Sequence, residues 1–291
     1  MNLDDPMKTD AHRETHPNWQ SLAQAPALLA VPGHRPERFE KAARSGADWI
    51  MLDLEDAVGP GLKSMARANV ERWLASGGEG IVRINSVDTP WHDDDVAALS
   101  TWRSAVILPK VSHQSQVSHV LRRLSPGSCI LPLLEVSAGI LAAREVCSVP
   151  GVIRAVFGNI DLASELGIDH ADKSALVHAR SEVVLASAAA GIAPPIDGIT
   201  TTIADEDAVV SDARHAAAIG FTGKLCVHPR QVAAVQAVFA PSAEELKRAE
   251  KIVSASKDGS VAVLDGELIG KPIIDRARRM LAYPGSARNV D

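Results

Sequence analysis

Short apolar runs rich in Val, Ile and Leu recur along the chain, separated by stretches in which apolar residues return every three or four positions, so strand and helix periods alternate. The runs are ALLAV (27–31), WIMLDL (49–54), GIVRIN (80–85), SAVILPK (104–110), CILPLLE (129–135), VIRAVFG (152–158), PPIDGI (194–199) and GKLCVHP (223–229). Between them lie segments such as PERFEKAARSG, KSMARANVERWLASGG, SQVSHVLRRLS and DEDAVVSDARHAAAIG, which carry helical spacing and Gly or Pro stops. Eight β/α units in about 230 residues predict a TIM (β/α)8 barrel. A doubly wound open sheet is the competing arrangement, but no GxGxxG follows the first run.

Beyond the eighth run, SAEELKRAEKIVSAS predicts a helix capped by Ser242, KDGSVAVLDGELIG a turn or small hairpin, and KPIIDRARRMLAYPG a final helix. The expected organisation is a flexible N-terminal arm over 1–22, a barrel over 23–258 and a C-terminal helical and hairpin extension over 259–291. Such an extension packs on a neighbouring subunit, covers a site, or closes the barrel's end.

Composition narrows the function. The 291 residues are 46% hydrophobic but only 3% aromatic, the Ala, Val, Leu and Ile filling of an α/β fold. The net charge of −6, with no dense Lys/Arg tract, argues against a nucleic-acid partner. No apolar run approaches the roughly 18 residues that span a bilayer. The polar opening residues do not read as a secretory signal, so a cytoplasmic protein is expected. Cys129, Cys147 and Cys226 are odd in number and irregularly spaced, which predicts reduced core thiols. His12 and His16, at i and i+4, could bind metal on a helix but read more simply as part of a frayed terminus.

In a barrel the strand C-terminal ends form the active face, and polar residues concentrate there. Run two ends in Asp53, Glu55 and Asp56, run three in Arg83 and Asn85, and run four in Pro109 and Lys110. Run five ends in Glu135, run six precedes Asp161, run seven carries Asp197 and run eight ends in His228. Neighbouring parallel strands lie about 4.8 Å apart, so Glu135 and Asp161 could converge on one hard cation such as Mg²⁺. Arg83 interrupts an apolar strand, where a guanidinium either recognises a substrate carboxylate or pairs with Asp53 or Glu55. Asp56 could instead cap a helix, Lys110 be solvated, and His228 be a buried hydrogen-bonding histidine. Arg35 and Lys41, with His34 and Arg38 around the helix after VPG, are candidate phosphate or substrate contacts. The Cys226-x-His228 pair lacks a third zinc ligand.

Several stretches resemble the citrate lyase beta-subunit-like family, relatives of malyl-CoA lyases within the HpcH/HpaI aldolase group. They are VPGHRPERFEKAARSGADWIMLDLEDAV followed by KSMAR, VRINSVDTPWHDDDVAAL, LPLLEVSAGILAARE, FGNIDLASELG and GFTGKLCVHPRQVAAVQAVFAPSAEELKRAEKIV, in order from about residue 27 to 283. The resemblance implies a barrel that binds Mg²⁺ through Glu135 and Asp161. In it Arg83 holds the keto acid or its carboxylate, and the acidic loop Glu55 and Asp56 orients metal-bound water. It implies a carbon–carbon lyase that splits a β-hydroxyacyl-CoA, citryl-CoA-like or malyl-CoA-like, into an acyl-CoA and a 2-oxo acid. It also implies a homo-oligomer, trimer or hexamer. This chain departs from the family pattern at His34, at Val136 and at Gly270, where relatives carry an Asp that serves a neighbour's site as acid or base. A glycine moves no proton, so a CoA-independent 2-oxo acid aldolase, or a non-catalytic metal- and ligand-binding subunit, stands as an alternative.

Overall fold

The computed structural model describes residues 19–256 and 261–282, so His12 and His16 lie outside the described residues. Eight parallel strands close into a barrel in sequence order: β1 (Ala27–Pro32), β2 (Trp49–Asp53), β3 (Ile81–Arg83), β4 (Ala105–Leu108), β5 (Cys129–Leu134), β6 (Arg154–Phe157), β7 (Ala193–Asp197) and β8 (Gly223–Cys226). β8 pairs back onto β1 through Ala27 and Lys224, so the sheet has no free edge. Helices follow the strands and surround them, which makes the fold the predicted TIM barrel with added C-terminal helices.

Successive side chains of a strand point to opposite faces, and this parity sorts the core into two layers. Leu28, Met51, Ile81, Ile107, Leu133, Val156, Ile196 and Leu225 fill the barrel interior. Leu29, Leu52, Val82, Val106, Leu134, Phe157 and Cys226 face the helices. Counting on by twos, Asp53, Arg83 and Glu135 share the inward parity of Met51, Ile81 and Leu133 and crown the barrel's C-terminal mouth. Asp197 and Lys224 neighbour the inward Ile196 and Leu225 and therefore face outward.

The N-terminal end of the barrel is sealed by a helix, Trp19–Gln24, that begins within the stretch expected as a flexible arm and runs past its end. Leu22 is fully buried with the interior residues, and Arg154, also fully buried, donates to the carbonyls of Leu22, Ala25 and Pro194. The expected arm therefore does not reach residue 22: apolar Leu22 supplies the bottom layer that eight short strands leave open.

The C-terminal elements match the expectation. Ser242 and Glu245 form a reciprocal capping box for helix Ala243–Ala255. β9 (Ala262–Leu264) and β10 (Glu267–Ile269) make an antiparallel hairpin whose two-residue turn places Asp265 and Gly266 at φ of 51° and 83°, the left-handed values such a turn demands. Helix Lys271–Leu281 then packs Ile274 and Ala277 onto Ala249, Ile252 and Ile269, a small core of its own.

Candidate active site at the barrel mouth

Arg83 sits at the end of β3 beside the end of β2, with Asp53 as its register partner. Its Nε and Nη2 donate to the two Asp53 oxygens at 2.7 and 2.6 Å, a bidentate pair in which Asp53 is 1% exposed. Burial pushes the Asp53 carboxyl up, but the Arg83 charge and hydrogen bonds outweigh it and hold the group below its usual range. The same carboxylate accepts from the backbone N–H groups of Glu55 and Ala57, which wraps the acidic loop around it. Of the two readings of Arg83, the ion pair is formed, and it consumes two of the three guanidinium nitrogens. Nη1 remains, 3.1 Å from Glu55 Oε2 without hydrogen-bond alignment and 3.4 Å from Asp56 Oδ2.

Lys110 joins this group from β4. Its backbone is left-handed, φ 51°, an unusual state for a residue with a side chain. The turn directs its N–H to Glu135 Oε1 at 3.0 Å, while its amine donates to Glu55 Oε1 at 2.5 Å and lies 3.6 Å from Asp161. Glu135 follows β5 and is 2% exposed. Burial first, then the charges of Glu55 and Asp161, push its carboxyl up to about 8. Asp161 does not extend a strand. It occupies the first turn of helix Asn159–Leu166, where the exposed backbone N–H groups favour a negative charge. Gly158 caps that helix, and a Cβ there would lie 2.3 Å from the Glu135 Cβ and 2.7 Å from its Oε2. Only a glycine lets Glu135 take its place.

A buried network braces the acidic loop from behind. The Lys63 amine donates to the carbonyls of Leu54 and Glu55 and to Asn85 Oδ1 at 2.8, 2.7 and 2.6 Å, and lies over the Trp91 ring. Asn85 in turn donates to Asp95, which also receives Arg67. None of Lys63, Arg67 or Asp95 was singled out by sequence. Their signal is a Lys and an Arg on one helix face inside KSMAR, opposite the acid run HDDD, visible only once the two helices are known to touch.

Other candidates sit apart from this cluster. Arg35 pairs with its neighbour Glu37 at 2.5 Å, Lys41 is exposed, and Pro109 is buried. His228 Nδ1 accepts from the Arg230 N–H, a local turn contact. The three cysteines are buried and free, their thiols pushed up by burial to about 12, 11 and 12 at positions 129, 147 and 226.

Whether the mouth suits a divalent cation can be judged from its charges. Asp53, Glu55, Asp56, Glu135 and Asp161 outnumber Arg83 and Lys110, and Glu55 Oε2 is buried with no hydrogen bond. Among the described residues no group of three or more His, Cys, Asp or Glu side chains is arranged to hold a metal. That suits Mg²⁺, which commonly takes one or two carboxylates and fills its octahedron with water and substrate oxygens. The surplus of acids over bases at the mouth and the orphaned Glu55 oxygen fit such an ion.

The chain is similar to known proteins along most of its length. The model of the HpcH/HpaI aldolase/citrate lyase family matches residues 27–229. The chain is 32% identical over 275 residues to a citrate lyase subunit beta-like protein of Deinococcus radiodurans, covering 88% of this chain and 96% of the relative. It is 35% identical over 267 residues to a (3S)-malyl-CoA thioesterase of Cereibacter sphaeroides, covering 88% and 93%. The crystal structure of protein CitE from Mycobacterium tuberculosis in complex with magnesium, acetoacetate and coenzyme A superimposes with a TM-score of 0.79 at 30% identity, covering 90% of this chain and 99% of that one.

Proposed function

The chain belongs to the HpcH/HpaI aldolase/citrate lyase family, and from that premise we propose that it is a Mg²⁺-dependent carbon–carbon lyase that cleaves a β-hydroxyacyl-CoA to an acyl-CoA and a 2-oxo acid. The observation that carries the reading is Glu135: a carboxyl group buried at the barrel mouth, pushed up by burial and by Glu55 and Asp161, with Arg83 Nη1 turned toward Glu55 and Asp56 beside it. Relatives named for citrate lyase and malyl-CoA chemistry, and a related structure holding magnesium and coenzyme A, support it.

In such a cleavage the β-hydroxyl gives up its proton and becomes a carbonyl, while the electron pair of the breaking carbon–carbon bond passes to the α-carbon of the thioester, which then takes a proton. Glu135 and Asp161 would hold the ion, whose chemistry is to stabilise negative charge on the oxygen that becomes the carbonyl. Asp53 prevents the Arg83 guanidinium from swinging, so Nη1 would present one fixed donor to the carboxylate of the oxo acid. Glu55 and Asp56 would orient the polar groups around the reacting carbons, and Lys110, Pro109, Arg35 and Lys41 would line the substrate's path. The exposed, cross-strand neighbours Val263 and Leu268 support a homo-oligomer in which the hairpin meets another copy.

Gly270 favours a second reading, cleavage of a free 2-oxo acid without CoA. It precedes helix Lys271–Leu281 with φ −94°, and a Cβ there would touch only Pro272 at 3.8 Å, so packing does not demand a glycine. The test is to offer the protein with Mg²⁺ malyl-, citramalyl- and citryl-CoA beside free hydroxy-oxo acids, measuring oxo acid and free thiol together. Oxo acid without free thiol is expected from a CoA substrate; free thiol without oxo acid would mean thioester hydrolysis, and turnover of the free acids alone would establish the second reading. Gly270→Asp should raise cleavage of the CoA substrates by about 10²-fold, the usual worth of a positioned acid or base.

A further inference from the structure

The outward-facing side of β7 and β8 holds a second charged cluster, and its balance is opposite to that of the mouth. Asp197, 1% exposed, lies between Arg180 Nε at 2.9 Å and Lys224 Nζ at 3.0 Å. Lys224 also donates to the Gly198 carbonyl, and Arg180, from helix Val177–Ala190, stacks over the Phe157 ring. A cavity of about 280 Å³ opens against these groups, walled further by Lys173, Asp212 and His215. None of Arg83, Glu55, Lys110, Glu135 or Asp161 lines it.

Three cations, Lys173, Arg180 and Lys224, face two acids, Asp197 and Asp212, across this space. Lys173 and Asp212 pair at 3.0 Å near the opening, and the two interior cations share Asp197, so one positive charge is left over in the buried part. The surplus is exposed to the cavity in a specific form. Arg180 spends Nε on Asp197, while its two terminal nitrogens make no hydrogen bond among the described residues. Nε2 of His215, on helix Glu206–Ile219, is likewise buried without a partner. A guanidinium fork with free ends, an ammonium and an unused imidazole nitrogen converge on one polar hollow, which is how proteins bind oxyanions.

We propose that this cavity between the barrel wall and helices Val177–Ala190 and Glu206–Ile219 is a second ligand site, which takes the carboxylate or phosphate group of a small molecule on Arg180, Lys224 and His215. The site is independent of the mouth chemistry, because parity sends its residues to the other side of the strands. It abuts the mouth at one point: Asn159, which lines the cavity and bonds both backbone groups of Ile199, begins the helix that carries Asp161.

The test is calorimetric titration of the metal-free full chain with inorganic phosphate and, separately, with succinate. Saturable binding with a dissociation constant of about 1 mM or tighter is expected for at least one. Phosphate alone identifies a phosphate ligand, and succinate alone a carboxylate. Arg180→Gln should weaken the binding about tenfold or more, and His215→Leu, which leaves the Asp197 pairs intact, about threefold to tenfold. If Arg180→Gln does not fold, His215→Leu decides. No binding of either anion up to about 10 mM, or binding abolished by Arg83→Gln and untouched by both wall variants, would overturn the proposal.

Discussion

The mouth and the wall of this barrel are built from the same side chains and differ in which charge is left over. At the mouth, five acids surround Arg83 and Lys110, and one carboxylate oxygen stays unbonded. At the wall, a single interior acid is shared by Arg180 and Lys224, and the terminal guanidinium nitrogens of Arg180 make no hydrogen bond among the described residues. A buried charge is tolerated only when compensated. The wall pairs compensate Asp197 from within the chain, whereas at the mouth Glu55 Oε2 lies buried without a hydrogen bond among the described residues, beside Glu135, whose carboxyl burial pushes up. A functional site is thus marked by the missing partner more than by the charged residues themselves.

The largest expected effect tests the mouth. Glu135→Gln keeps the shape but removes the charge, so kcat/KM for the cleaved substrate should fall by about 10³-fold or more, the scale on which preorganised charge stabilisation acts. Calorimetry of the same variant without metal should show a melting temperature no lower than that of the parent, because burial already disfavours the charged form of the Glu135 carboxyl. Mg²⁺ should raise the melting temperature of the parent and not of the variant. Retained activity, or a strongly destabilised variant, would make Glu135 a structural acid like Asp197.

Asp197→Asn is the converse. It strands two buried cations, and urea unfolding at neutral pH should show a loss of about 3–5 kcal/mol. The Asp197 carboxyl is held below its ordinary value of 3.8: burial raises it, but Lys224 and Arg180 lower it further. A depressed acid contributes stability above its unfolded value and loses that contribution as pH falls through the folded one. The gap between parent and variant should therefore be widest above about pH 4 and close in stronger acid. A gap constant across that range would show that Asp197 acts through packing alone.

How far these two regions could be read beforehand follows from the same parity. Short apolar runs marked the strands, and the polar residues at their ends, Asp53, Arg83 and Glu135 among them, pointed to the mouth; which of them face inward did not follow from the runs alone. Asp197 was noted as a strand-end acid, but its outward direction follows from Ile196 facing the interior, which requires knowing where the strand begins. Arg180 and Lys63 stayed hidden because each comes from a helix and meets its partners 17 and 22 residues away, across helix–strand contacts no periodicity reports. A Lys inside the four-residue strand GKLC was the one legible trace of the wall cluster. Helix Trp19–Gln24 was too short to show a period, so its burying of Leu22 could not be read from the pattern.

Gly158→Ala probes the mouth's geometry with a smaller change. The added methyl would meet Glu135 Cβ at 2.3 Å, and backbone shifts of this kind cost about 1–3 kcal/mol. If the glycine exists to seat Glu135, the dependence of activity on Mg²⁺ should shift to higher concentration by more than stability alone requires. The equivalent change at Gly191, where nothing lies within 4 Å of an added Cβ, brings the backbone strain of a positive φ but no clash, and should leave Mg²⁺ dependence unmoved.

The smallest expected effect is the sharpest on what the mouth lacks. The Lys110 amine lies 2.5 Å from Glu55, 3.7 Å from Asp56 and 3.6 Å from Asp161, so it already supplies part of the positive charge those acids need. A resident cation and an incoming one then compete for the same field. Lys110→Met removes the charge, keeps a similar stem and leaves the backbone N–H to Glu135 in place. It should tighten Mg²⁺ binding by about threefold to tenfold in titration calorimetry, the scale of a partly screened pair at these distances. At the wall the logic runs the other way: Lys224 has no incoming cation to compete with, and Lys224→Met should destabilise the fold and weaken anion binding there. If Lys110→Met instead weakens Mg²⁺ binding, the amine orients the carboxylates, and the mouth resembles the wall in drawing its order from internal pairs.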